Sequence, residues 1–196
     1  MVSDQTELIK RVLGANFLAL SLGKLSIEED PGVSTTVRAK ISEGDHPPVE
    51  VEGTGVGVVD ALYNGLLDRY AREYQSLKTI QLVKFALAAD MESKKASAGV
   101  DAVGTVTIEI KNSEGRYFSF AHTSRSITTS SACAVISAVQ YFLNAERAFL
   151  TLYNARRDAH ERGREDLVSR YTAELAEVVK STSYAEVIAN IRRELG

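Results

Sequence analysis

The segment Lys40-Ile41-Ser42-Glu43-Gly44 returns 71 residues later as Lys111-Asn112-Ser113-Glu114-Gly115, keeping Lys, Ser, Glu and Gly in place. An internal repeat constrains a chain strongly, because each copy must present a surface that the other can cover. The periodicities around the two copies agree in order. In the first, Leu18, Leu20 and Leu22 alternate, Leu25 and Ile27 follow, and Asp30-Pro31-Gly32 marks a turn. Val37, Ala39 and Ile41 alternate with Arg38 and Lys40, which predicts a half-buried strand. Gly44 to Pro48 reads as a second turn, and Val49 and Val51 open a third strand. Val59, Leu62, Tyr63, Leu66, Leu67, Tyr70 and Tyr74 then follow at helical spacing over roughly four or five turns.

In the second copy, Ile80, Leu82, Phe85 and Leu87 build a strand, and Ser97 to Gly104 forms a loop of small residues. Val106, Ile108 and Ile110 alternate cleanly, Gly115 turns the chain, and Phe118 and Phe120 share one face of the next strand. A helix is expected from near Ser130, capped from within Thr128 to Ser131, carrying Val135, Ile136, Val139, Phe142 and Leu143. Two strand-strand-strand-helix units bury their apolar faces best against each other. The predicted fold is therefore α+β: two βββα units related by a pseudo-twofold axis. An N-terminal helix (1–15) precedes the repeat region (16–144), and a helical extension (145–196) follows it. In the extension, Leu167, Val168, Tyr171, Leu175, Val178 and Val179 form one stripe. Ser183-x-x-Glu186 reads as the capping box of a last helix.

Composition excludes several functions. Net charge is −3, so the basic excess of a dedicated nucleic-acid binder is missing. The single cysteine, Cys133, excludes a disulfide framework and a multi-cysteine zinc site, and is expected as a packed core thiol. His46, His122 and His160 form no HxH or HExxH pair, so no metal site and no cofactor are expected. No apolar run reaches 18 residues, and the acidic N-terminus is unlike a signal peptide. A cytoplasmic protein with no membrane partner is expected.

Two segments are chemically suggestive. Gly53-Thr54-Gly55-Val56-Gly57 precedes a helix, where free N–H groups and the helix dipole suit an anion. It has neither the GxGxxG spacing nor the Lys-Ser/Thr pair of nucleotide loops. Two readings stand: a tight strand-to-helix turn, or backbone contact with a small ligand. Asp60, in the first turn of that helix, serves either the dipole or a ligand. His122 lies near Ser124, Ser126, Ser130 and Ser131, but GxSxG is absent.

Gly53-Thr54-Gly55-Val56-Gly57-Val58-Val59-Asp60-Ala61-Leu62 resembles the G-x-G-P-V-D-A segment of the C-terminal regulatory (allosteric, dimerisation) domain of 2-isopropylmalate synthase and its citramalate synthase relatives. Ser97-Ala98-Gly99-Val100-Asp101-Ala102-Val103-Gly104-Thr105-Val106 is similar to that family's second signature, G-x-D-A-x-G-x-V. Ser131 to Asn144 resembles its closing small-residue helix. The resemblance implies a homodimer that binds an end-product amino acid, a branched-chain amino acid or a related acid, at a subunit interface. It implies Gly53, Gly55, Asp60, Ala61, Gly99, Asp101 and Ala102 as effector-binding positions, with no catalytic residue.

Three departures accompany the resemblance. The synthase's catalytic TIM barrel and metal-binding HxH are missing, so a separately encoded synthase is the implied partner. Val56-Gly57-Val58 replaces the family proline. Ala121 to Thr128 replaces the glycines and acid of a third signature, where His122 and Arg125 would select a more acidic effector. The rival expectations are a protein–protein adaptor whose ligand pocket has decayed, and a small enzyme using His122.

Overall fold

The computed structural model describes residues 2–89 and 103–183. Helix α1 (Val2–Leu13) leads into one antiparallel sheet of β1 (Leu20–Asp30), β2 (Ser34–Glu43) and β3 (His46–Gly55), followed by α2 (Val58–Tyr70). A 3₁₀ turn (Gln75–Lys78) precedes a second antiparallel sheet of β4 (Gln81–Ala89), β5 (Gly104–Lys111) and β6 (Tyr117–Ser124). Helices α3 (Ile127–Glu161) and α4 (Glu165–Val179) complete the described chain. The architecture is α+β with two βββα units, as the repeat implies. Helix α2 packs on β3 and β2, α3 packs on β6 and β5, and the two helices pack on each other. The expected last helix, with its capping box reaching Glu186, lies outside the described residues.

The units superpose in a different register from the sequence repeat. Val37, Ala39 and Ile41 pair with Gly53, Val51 and Val49. Val106, Ile108 and Ile110 pair with His122, Phe120 and Phe118 in the same pattern. Each of these six residues lies 69 positions from its counterpart, whereas Lys40-Ile41-Ser42-Glu43-Gly44 matches at 71. The identity is therefore a property of turn chemistry. Gly44 (φ 58°) and Gly115 (φ 76°) each supply left-handed backbone, but at positions two residues apart between the equivalent pairs Ile41–Val49 and Ile110–Phe118.

Both first strands carry a register shift, at Leu22/Lys24 and at Leu82/Lys84. The shift explains why the apolar spacing jumps by three, from Leu22 to Leu25 and from Leu82 to Phe85, while one face is kept. A bulge followed by lysine also blunts these two sheet edges against strand addition.

Four expectations change. Helix α2 ends at Tyr70, where the Ala71 N–H closes on Leu67 O, not at Tyr74. Tyr74 is buried as its spacing implied, but from a turn. Pro47 and Pro48 lie in β3 instead of a turn, at the register shift between Ile41 and Glu43 of β2, where neither proline is paired across the ladder. Ser126 caps α3, accepting from the Thr129 N–H at 3.2 Å, so the helix starts upstream of the expected Thr128 to Ser131 cap. Cys133 is only half-buried and not a packed core thiol, although desolvation still raises its pKa.

Helix α3 runs unbroken through residue 144 and is buried on most sides between Ser130 and Leu152. Its Tyr141 and Phe142 rings meet Phe118 and Phe120 at centroid distances from 5.1 to 6.3 Å. Burial pushes the Tyr141 phenol up to about 12. Two side chains, buried Asn144 and half-buried Gln140, anchor the chain leading into β1. Asn144 accepts from the Leu18 N–H (2.9 Å) and donates to the Leu18 carbonyl (2.8 Å). Gln140 accepts from the Leu20 N–H at 2.6 Å.

After α4, Thr182 accepts from Asn112 Nδ2 (2.9 Å) and Ser183 Oγ accepts from the Ser113 N–H (2.8 Å). These bonds tie the extension to the second sheet. Among the described residues no helix is long and apolar enough to cross a membrane. No group of three or more His, Cys, Asp and Glu in that set is arranged to hold a metal.

Replacing Asn144 with Ala strands the Leu18 N–H and carbonyl in the interior. A loss of about 1–3 kcal/mol of stability is expected in denaturant titration. An unchanged midpoint would show that this anchor is dispensable.

Candidate functional site

The turn from β3 into α2 gathers Gly53, Gly55, Asp60 and Ala61. Each glycine has a steric reason. A Cβ on Gly53 would collide with Ala61 O and the Gly65 backbone, and one on Gly55 would collide with the Asp60 carboxylate and Ala61 N. Gly65 in turn lies against Glu52 O and Gly53 N. Helix and strand therefore meet backbone to backbone. Ala61 is fully buried at this contact, and its N–H bonds Gly57 O at 2.9 Å.

The Asp60 carboxylate folds back over the turn, and Oδ2 accepts from the Val56 N–H at 3.1 Å. Its Oδ1 has no hydrogen bond among the described residues. Gly57 occupies the cap position in extended conformation (φ −170°, ψ 174°) and offers no side-chain cap. The first-turn N–H groups of Val58, Val59 and Asp60 thus lie at an uncapped, electropositive helix end. Val56 is 88% exposed and Val33, at the same end of the sheet, is 77% exposed. This geometry suits a carboxylate joined to an apolar tail.

Sequence reasoning did not pick out Asn64, Val33 or Val56. Asn64 Nδ2 donates to Thr54 O at 3.0 Å and covers a carbonyl of the β3 edge. Its place four residues after Asp60 was the available signal, since that spacing shares a helix face. Gly99, Asp101 and Ala102 lie outside the described residues.

The second unit reaches the same place with opposite chemistry. Counted at 69 residues, His122 stands for Gly53, Ser124 for Gly55, Thr129 for Asp60 and Ser130 for Ala61. Ser126 caps the helix. Ser124 Oγ lies 2.8 Å from both Ser130 Oγ and Ser126 O, and Ser130 Oγ reaches Gly104 O at 3.3 Å. The chain's own hydroxyls therefore occupy this helix start. His122 Nδ1 is buried with no partner among the described residues. No serine there activates it or is activated by it.

Two similar substitutions differ in the space their Cβ would meet. Gly53→Ala should lower stability by about 1–3 kcal/mol through overpacking. Gly57→Ala, whose Cβ meets nothing within 4 Å, should stay within about 0.5 kcal/mol of the parent in the same melt. Equal effects would refute the close-approach account.

Residues 3–143, more than half of the chain, match the LeuA allosteric (dimerisation) domain family. No curated protein matches the chain.

Proposed function

From the chain's membership of the LeuA allosteric (dimerisation) domain family, we propose that it acts as a non-catalytic regulatory domain in the cytoplasm. It dimerises, binds a small amino acid or 2-oxo acid, and modulates a synthase of the isopropylmalate or citramalate type. Residues 16–144 act as the regulatory unit, and 145–196 as its helical extension.

One observation carries the ligand reading. Helix α2 starts uncapped on glycine backbone beside exposed Val33 and Val56, whereas the equivalent start of α3 is filled by serines. In this reading the effector carboxylate meets the N–H groups around Val58, its ammonium group meets Asp60 Oδ1, and its branched tail lies on Val56. Gly53 and Gly55 keep the turn tight, and Ala61 seats the helix. Gly99, Asp101 and Ala102 join the site by resemblance.

The dimer reading rests on the first strand of each sheet. Ile27 shares the face of Val37, and Phe85 and Leu87 share the faces of Ile108 and Val106. Phe85 and Leu87 remain 47% and 46% exposed, and Ile27 is 39% exposed. Because the edges beside them are bulged, association uses these faces. Effector binding then favours one packing of the dimer over another, which couples the ligand to the partner enzyme. The same exposed faces and the serine-filled second turn favour the adaptor as second reading, in which the chain dimerises without a small-molecule response.

Two measurements test the proposal. A thermal-shift panel with leucine, isoleucine, valine and branched 2-oxo acids should give one selective rise. At 100 times Kd it should reach roughly 5–10 °C. Asp60→Asn, which keeps an acceptor for Val56, and Val56→Glu, which repels a carboxylate, should each abolish it. Flat curves across the panel sink the effector reading and leave the adaptor. Separately, Phe85→Glu with Leu87→Glu should convert a dimer into a folded monomer in light-scattering chromatography. A dimer that survives both substitutions excludes this face.

A further inference from the structure

A cavity of about 180 Å³ lies between α1, the segment leading into β1, β6 and α3. It shares no residue with the turn at Asp60. Its apolar walls are Ile9, Phe17, Phe120 and Tyr141. Two of these walls are held in place. The Phe120 and Tyr141 rings sit 5.5 Å apart, and the Tyr141 hydroxyl donates to Gln5 Oε1 at 2.9 Å, bridging α3 to α1.

Polar lining comes from Thr6 on α1 and from Ser137, Gln140 and Asn144 on α3, where Ser137 and Gln140 are three residues apart. Gln140 Oε1 is committed to the Leu20 N–H, so its amide NH₂ remains to donate. The Ser137 hydroxyl has no partner among the described residues. No Lys, Arg, His, Asp or Glu is found among the described lining residues. A carboxylate or ammonium group entering here would lose its hydration without gaining a counter-charge. The space equals that of about six waters, and a mostly apolar wall disfavours filling it with water.

We infer that this cavity is a second ligand site, one that takes a small, neutral, mainly aliphatic molecule of roughly five to seven non-hydrogen atoms bearing a single hydroxyl or carbonyl oxygen. The aliphatic part fills the space among Ile9, Phe17 and Phe120, and the oxygen meets Ser137 and the Gln140 amide. Absence of charged lining separates this ligand class from the zwitterion or acid proposed at the α2 turn.

The test is an NMR titration of the full chain with isobutanol, with isobutyrate as its charged counterpart. Saturable shifts are expected with isobutanol at Ile9, Phe17, Phe120 and Ser137, and none with isobutyrate at equal concentration. Ser137→Leu fills the space and should abolish the isobutanol response. Ser137→Ala removes one hydrogen bond and should weaken binding about fivefold. The site is overturned by the absence of saturable shifts, by shifts that persist in Ser137→Leu, or by isobutyrate binding as tightly as isobutanol. If Ser137→Leu does not fold, an unchanged affinity in Ser137→Ala overturns it instead. Either result leaves the amino-acid panel independent, because the two sites share no residue.

Discussion

A polar group taken out of water must find a partner, and three such groups on α3 organise the molecule. Asn144 and Gln140 hold the backbone at Leu18 and Leu20, just before the first sheet begins. Glu146, 2% exposed, accepts from the N–H groups of Gln75 (3.1 Å) and Ser76 (2.8 Å), just before the second sheet begins. The carboxylate thereby caps the 3₁₀ turn, where N–H groups point outward and negative charge is favoured. One helix thus fixes the starting point of both units. Removing any of the three side chains would leave backbone N–H groups unpaired.

With both units pinned to α3, small differences between them become differences in chemistry. The strand pairs and helix starts are equivalent, so each unit presents a helix N-terminus beside the end of its third strand. In the first, backbone contact between β3 and α2 excludes side chains, and the helix start is bare. In the second, His122 and three serines occupy the same positions, and the serines fill that helix start. A duplicated scaffold therefore carries two unlike ends. This asymmetry follows from side-chain volume at the strand–helix contact, and the strands themselves remain equivalent.

Much of the scaffold was legible in the residues. Val106, Ile108 and Ile110 are all fully buried on the alternating face they predicted. Leu62 and Leu66 are buried in α2 as their spacing implied. The candidate site was legible in part. Gly53, Gly55 and Asp60 came together because they are neighbours in sequence. The steric purpose of the glycines was not legible, because the colliding atoms belong to Ala61 and Gly65 across the turn.

Alternation, turn residues and helical spacing are local, so the sequence by itself determined two βββα units and the acid at the α2 start. Tertiary structure alone decided where α2 stops, because the N–H groups after it are held by Glu146, 71 residues from Gln75. It also decided that Pro47 and Pro48 belong to a strand, since the register shift opposite them in β2 leaves their missing N–H groups without a required partner. The true register of the repeat emerged the same way. Identity in the two turns marks where left-handed glycines are needed, while the 69-residue spacing is set by which side chains face each other across the sheets. Local chemistry chooses the elements, and burial among distant partners sets their ends and their alignment.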